Sequence, residues 1–429
     1  MTKHCGLAFM VGASLVAGLA ATPAGAAEFF DGRVSVEFFM MQGAQGLDPL
    51  GETFDPADSG TDPGFQRTRF NGQLTIRFTD WLTGFIDIAE EPNDFGENGF
   101  SLEDDLSFLD LSLLDALGSR WAANNSLIVR VGNPVANLMQ FRGFSDGAEV
   151  QSNPLIGNSP YDIVTAETGI QVLARHEFGT QTFSALDWDV AVQSPTFFED
   201  FSDGRGFHVT AKGALEVTPP GHRLGALTIG GGYSINDSSD QVQRGGGPRP
   251  SGATEMVFGD GENYRFPSVG SGGIRSTHAG LLPGIELDMW QVSAAYEAGF
   301  APLRLVGWFG RGKDQFSHID PVTGAQTVRA VSTLVDQRQS EVEGWGIEAK
   351  YDLLPKLFYL AGRYTRVTNE SDGISGDDLL DRYQLGVGFW LHDNVLFKGE
   401  YVYQGEGAVS PGQIGSDWQG GLVELSAKL

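Results

Sequence analysis

The sequence predicts an all-β fold: a transmembrane antiparallel β-barrel of about 16 strands, with short turns at one end and long loops at the other. Three observations carry this expectation. Segments of roughly ten residues alternate apolar and polar side chains through the whole chain after residue 26. About 16 such segments can be counted, an even number, as a closed single-chain barrel requires. Short and long connections also alternate, which places the short ones together at one end.

The predicted strands are 33–41, 67–78, 82–89, 106–115, 126–133, 167–177, 184–193 and 206–217, then 224–235, 286–299, 303–313, 342–352, 357–367, 381–391, 395–404 and 417–429. In the second, Phe70, Gly72, Leu74, Ile76 and Phe78 share one face, and Arg69, Asn71, Gln73, Thr75 and Arg77 the other. After Thr79-Asp80, Leu82, Ile86 and Ile88 continue the outer face while Thr83 and Asp87 point inward. Leu186, Trp188, Val190 and Val192 alternate with Asp187, Asp189 and Gln193, and Trp290, Val292, Ala294 and Tyr296 with Gln291, Ser293 and Glu297. Near the end, Tyr383, Leu385, Val387 and Phe389 alternate with Arg382 and Gln384, and Phe397, Tyr401 and Tyr403 with Lys398 and Glu400. A soluble sandwich would set one apolar face against another. Here the second face carries Arg, Asp, Glu and Gln in nearly every segment, and such groups need water or mutual pairing. A wide wet lumen supplies both.

The short joints are 79–81, 178–183, 218–223, 300–302, 353–356 and 392–394, and long ones are 42–66, 134–166, 236–285 and 314–341. One segment is ambiguous. From Ser101 to Gly118, Leu102, Leu106, Leu109, Leu113 and Leu117 recur at helical spacing, with Ser101 as a cap. Leu109, Leu111 and Leu113 against Asp110 and Ser112 read equally as a strand, and strand parity favours that reading. Aromatics near strand ends (Phe78, Trp81, Trp188, Tyr233, Trp290, Phe300, Tyr351, Tyr403 and Trp418) are expected to form interfacial girdles.

Residues 1–26 read as a signal peptide and 27–429 as the barrel. Lys3 and His4 precede an uncharged apolar run from Leu7 to Ala21, Pro23 breaks it, and Ala24-Gly25-Ala26 offers a small-x-small cleavage site. The alternative, a membrane anchor, needs a longer run. Cys5, the single cysteine, precedes the apolar run and leaves with the peptide. The exported chain then has no thiol, disulfide or cysteine-ligated metal, as suits an oxidising periplasm. Against 55 acidic residues stand 28 basic ones, a formal charge of −27, which excludes a nucleic-acid partner.

Across its exported length the chain resembles the general porins of bacterial outer membranes. The resemblance implies a 16-stranded barrel, monomeric or homotrimeric, embedded in outer-membrane lipid and lipopolysaccharide by the barrel-insertion machinery. It also implies a third external loop that folds inward and narrows a pore. That loop is 134–166, where Asn153-Pro154, Gly157-Asn158 and Ser159-Pro160 are turn formers that compact a chain. Two features depart from the family pattern: no acidic-aromatic-glycine motif is evident in this loop, and Leu429 stands where an aromatic usually ends the last strand.

A constriction works by a transverse field, with cations facing acids. Arg69, Arg77 and Arg130, with Arg33 and Arg67 nearer the ends, are the candidate basic wall, and Asp146, Glu149 and Asp162 the candidate acidic one. The alternative is that these arginines pair with carboxylates on neighbouring strands. No cofactor or catalytic set is expected. The histidines after residue 26 lack ligand spacing, Gly230-Gly231-Gly232 is not followed by Lys-Ser, and no Ser/His/Asp set stands out. The sequence therefore points to a passive, weakly cation-preferring channel for small hydrophilic solutes and ions. The rival readings are a channel selective for phosphate or carbohydrate, and a non-conducting structural or adhesive barrel.

Overall fold

A computed structural model describes residues 27–50, 64–90, 103–133, 135–137, 151–157, 164–166, 168–179, 182–193, 207–218, 224–237, 243–244, 285–319, 326–329, 340–369, 378–406 and 417–428. Residues 1–26, expected from the sequence to be a signal peptide, and Leu429 lie outside them. Sixteen long antiparallel strands close on themselves. In chain order they are β1 (Val34–Pro49), β2 (Gly64–Thr79), β3 (Leu82–Glu90) and β4 (Glu103–Ser112). Then come β5 (Asn125–Asn133), β6 (Gly169–Glu177), β7 (Phe183–Gln193) and β8 (Phe207–Val217). They are followed by β9 (Ala226–Asp237), β10 (Ile285–Glu297), β11 (Leu303–Ile319) and β12 (Ser340–Leu354). The last are β13 (Phe358–Asn369), β14 (Asp378–His392), β15 (Val395–Glu406) and β16 (Trp418–Lys428).

Each strand pairs with its sequence neighbours, and β16 returns to β1, from Lys428 opposite Phe39 to Trp418 opposite Pro49. This last ladder removes the sheet edges. Below it, a short strand Ala27–Phe29 pairs with Val34–Val36 and covers the stretch of β1 that β16 does not reach. Phe30, Asp31 and Gly32 take left-handed φ angles of 55°, 60° and 76° to make the reversal between them.

The ambiguous segment turns out to hold both structures. Glu103–Ser112 is strand, and Leu113–Ala116 makes a single helical turn, α1. The Ser112 hydroxyl donates to Asp115 at 2.5 Å, and a 3₁₀ turn over Arg120–Ala123 leads into β5. Parity won over helical spacing because β4 must pair on both edges, with β3 and with β5. The connections after the even-numbered strands, this one included, gather at one end. Those after β1, β3, β5, β7, β9, β11, β13 and β15 lie at the other.

Alternation decides which face meets what. Ile86, Ile88, Leu186, Val192, Val292, Ile347, Leu360, Leu385 and Val423 face outward and are exposed, while Asn71, Asp87, Gln171, Gln291, Glu348, Gln384, Lys398 and Glu424 are buried on the inner side. An apolar exterior over a polar interior suits lipid outside and water inside. Toward the loop end the outside carries an aromatic row. Trp345 meets Tyr364 at 5.1 Å, Tyr364 meets Tyr383 at 4.7 Å, and Tyr383 meets Tyr403 at 6.2 Å between ring centroids. Toward the turn end Phe78, Trp81, Phe300 and Tyr351 are exposed, a second girdle. Two of the expected girdle residues are placed differently. Trp188 faces out at mid-strand, and Trp418 faces inward and is buried, because the β1 ladder fixes its parity with Leu422 and Glu424.

Glycines on the inner face receive large neighbours. Trp308 lies over its cross-strand partner Gly346, where an added Cβ would stand 2.1 Å from the indole. Tyr359 covers Gly388 in the same way, at 2.0 Å. Gly346→Ala and Gly388→Ala should each destabilise the barrel by about 1–3 kcal/mol through overpacking. Urea unfolding of the purified protein in detergent micelles measures this, and unchanged midpoints would contradict the packing described.

Candidate pore constriction

The connection between β5 and β6 leaves the rim through a short ladder, Val135–Asn137 paired with Val164–Ala166. Its residues 151–157 do not stay there. They lie inside the barrel against β13–β16, about eight strands round the wall from where the loop begins. In a 16-stranded barrel that is the opposite wall, so the third loop reaches across the lumen. Its turn formers Asn153-Pro154 and Gly157 are buried in the seat.

Charged side chains on the wall hold the loop by its backbone. The Ile156 and Gly157 N–H groups donate to Glu400 Oε2 at 2.6 and 3.0 Å. The Gly157 carbonyl accepts from Arg363 Nη1 at 2.8 Å and Gln384 Nε2 at 3.0 Å. Lys398 Nζ points to the Leu155 carbonyl at 3.5 Å, and Gln151 Nε2 donates to the Asn394 carbonyl at 3.1 Å. These wall groups also hold one another. Arg363 Nε and Nη2 grip Glu348 Oε2 at 2.8 and 2.6 Å, Gln384 donates to Glu400 at 3.1 Å, and Lys398 pairs with Glu424 at 3.1 Å.

Apolar contacts complete the seat. Leu155 packs with Tyr359, Ala361 and Leu396, and Ile156 with Val402, Trp418 and Leu422. Gly386 makes room for Leu155, since a Cβ there would come within 2.5 Å of it. The apolar pair Leu155-Ile156 does not stand out in a loop that also holds Leu138-Met139, Phe141 and Phe144. Nor do its neighbours in sequence show what it packs against, because its partners lie more than 200 positions away.

The two walls differ in how far they meet water. Behind the loop, side-chain exposure is 0% and 7% for Arg363 and Glu348, and 2% and 1% for Lys398 and Glu424. On the facing wall it is 21% each for Arg130 and Asp110, and 43% and 30% for Arg175 and Asp187. Cross-strand pairs line that open wall. Arg130 grips Asp110 with two bonds of 2.7 and 2.8 Å, Arg175 reaches Asp187 at 2.8 Å and Glu216 at 3.5 Å, and Lys212 meets Asp189 at 3.2 Å.

Of the residues expected from sequence, Arg130 lies at the open wall, paired with Asp110 across the strand. Arg77 is exposed near the turn end of β2, its N–H donating to the Arg33 carbonyl at 2.7 Å, and Arg33 is exposed in the turn before β1. Arg77, Thr83, Asp110 and Arg130 share one register row across β2–β5. Position 69 lies opposite Met41, eight residues from Arg77 along β2, roughly 27 Å of strand. The side chains of Arg67 and Arg69 lie outside the described residues, as do Asp146, Glu149 and Asp162. No group of three or more possible metal ligands occurs among the described residues.

Comparison with known proteins gives the architecture a context. No protein-family profile and no curated protein matches the chain. Among solved structures, an OmpF from Salmonella typhi in complex with daunomycin superposes with a TM-score of 0.52 at 12% identity, over 94% of this chain and all of that one. The chain has the general-porin fold. An anion-selective porin from Comamonas acidovorans (TM-score 0.49, 13% identity, 92% of this chain and 100% of that) is also similar. So is OmpT, an outer membrane protein of Vibrio cholerae (0.49, 11%, 92% and 99%). At these identities the likeness is one of fold.

Within that fold the loop seat depends on the buried Arg363. Arg363→Ala takes the buried guanidinium away from Glu348 and removes one of the two donors to the Gly157 carbonyl, and should cost about 3–5 kcal/mol of stability. Limited proteolysis should then cut the variant within 151–157, where the native protein resists. Equal resistance in the two proteins would show that the seat does not depend on this residue.

Proposed function

We propose that the chain forms a water-filled channel in the outer membrane through which small hydrophilic solutes and ions diffuse passively, with a weak preference for cations. One observation carries the reading: a loop fastened across the inside of a closed 16-stranded barrel whose inner face is polar. Barrels of 16 to 18 strands are wide enough to leave an aqueous passage, and a fixed loop narrows it without sealing it. The inner pairs do no covalent chemistry; they supply radius and field. The excess of 55 acidic over 28 basic residues supports the cation preference.

In this reading the chain is exported, loses residues 1–26, and is inserted among outer-membrane lipid and lipopolysaccharide, where homotrimers assemble. Arg130 stands at the waist, with Asp146, Glu149 and Asp162 of the loop as the acids facing it. Arg77 guards the periplasmic mouth, and Arg69 stands further toward the outside. The paired state of Arg130 gives it a weaker field than a free guanidinium, which suits modest selectivity.

Single-channel recording of the purified protein in a planar bilayer tests the reading. Large, ohmic, weakly cation-selective steps are expected, and a protein that never conducts would sink it. Charge reversal at Arg69 and Arg77 together should shift the reversal potential in a salt gradient further toward cations. Arg130→Glu should do the same more strongly, because it also leaves Asp110 unpaired at the waist. Unchanged reversal potentials would place the selective wall elsewhere.

A further inference from the structure

On the inner face, bases stand opposite acids. Arg130 is the cross-strand partner of Asp110, Arg175 of Asp187 and Lys212 of Asp189, and each forms an ion pair of 3.2 Å or less. Behind the loop, Arg363 and Lys398 face Glu348 and Glu424 in the same way. Opposite charges across a ladder stabilise it, and like charges directly opposite each other destabilise it.

The turn end of β1 and β2 breaks this rule. Val34 stands opposite Ile76, and one step further the Arg77 N–H donates to the Arg33 carbonyl at 2.7 Å. Two arginines therefore face each other at the mouth of the lumen, both exposed. Neither guanidinium has a hydrogen bond or an ion pair among the described residues. Nearby acids do not neutralise them. Glu37, the next acid along β1, is held by Lys428 at 2.7 Å. Glu28 stands opposite Ser35 on the other edge of β1, and Asp31 and Asp80 lie in the adjoining turns. None of these three forms an ion pair with either arginine among the described residues. On the β3 side, Thr83 is the cross-strand partner of Arg77 and adds a hydroxyl.

Two neighbouring forks and a hydroxyl suit one compact anion with several acceptor oxygens. A carboxylate balances one of the two charges. A phosphate dianion balances both and offers an oxygen pair to each fork. Exposure keeps such a site weak and salt-sensitive.

We propose that Arg33 and Arg77, with Thr83, bind phosphate or a phosphate monoester at the turn-end mouth of the channel. The step rests on the channel reading: a solute crossing the lumen pauses there before the periplasm. It coexists with an overall cation preference, because the pair is local and the acids are spread through the whole chain.

The test is titration calorimetry of the full-length protein in dodecyl maltoside micelles at low ionic strength, with inorganic phosphate as the probe. At about pH 8, where phosphate is mainly a dianion, saturable binding is expected, and binding of acetate about tenfold weaker. Arg33→Gln and Arg77→Gln should each raise the phosphate dissociation constant about tenfold. Arg175→Gln removes a paired base of the open wall and should leave that constant at the native value. Heat-modifiable migration in gels checks folding. Should the variants fail to fold, the native urea midpoint carries the test: phosphate should raise it above its value in chloride of equal ionic strength. Current in potassium chloride across a planar bilayer reports on the channel reading separately, since calorimetry needs no conduction. Absence of phosphate binding by the native protein overturns the proposal. So does an equal loss in Arg175→Gln, which marks a response to overall charge alone. Tighter binding of dihexanoyl phosphatidic acid than of phosphate also overturns it, by making the occupant a lipid headgroup.

Discussion

Everything in this molecule follows from the need to satisfy backbone hydrogen bonds where no water reaches them. A strand set in hydrocarbon must pair on both edges, and only a closed sheet allows that for every strand. The ladder between β1 and β16 is where closure happens, and it sets the parity of all the residues on either side. Once the sheet is closed, the pleat divides the side chains without further choice. Tyr383, Leu385 and Val387 go out to lipid, and Arg382 and Gln384 go in. The short strand Ala27–Phe29 serves the same demand, covering the last piece of β1 that would otherwise show open edge.

Closure creates a second demand. The inner wall of β12–β16 carries Glu348, Arg363, Lys398, Glu400 and Glu424 beside an apolar set that includes Leu396, Val402 and Trp418. Facing open water, the apolar set would gain nothing. Covered without partners, the charges would cost several kcal/mol each. Residues 151–157 resolve both at once, since Leu155 and Ile156 cover the apolar set while their backbone groups bond to the charges. The facing wall is left open, and its pairs keep partial contact with water. An asymmetric lumen results, with one wall committed to holding the loop and the other available to solute.

Much of this was legible residue by residue. The alternation of Gln291 and Ser293 with Trp290 and Val292 is local, so the strand and the facing of its side chains could be read directly. So could the even strand count, the separation of short from long connections, and the position of the third loop. Other features were not. In Ser101–Gly118, helical and strand periods coexist, and only pairing on both edges of β4 decided for strand up to Ser112. Trp418 resembles a girdle residue in sequence, near a strand end, yet register turns it inward. Arg130 could be read as lumenal, but not that Asp110 grips it and Phe108 lies beneath it.

What the sequence determined by itself was the barrel and the wet polarity of its interior, because a period-two pattern acts over neighbouring residues and needs no distant information. Tertiary structure alone decided where the third loop comes to rest. That choice brings Leu155, Ile156 and Gly157 against Arg363, Gln384 and Glu400, partners separated by more than 200 positions. No local pattern encodes such a meeting. It depends on the circumference of the closed sheet, which carries the two stretches to facing walls.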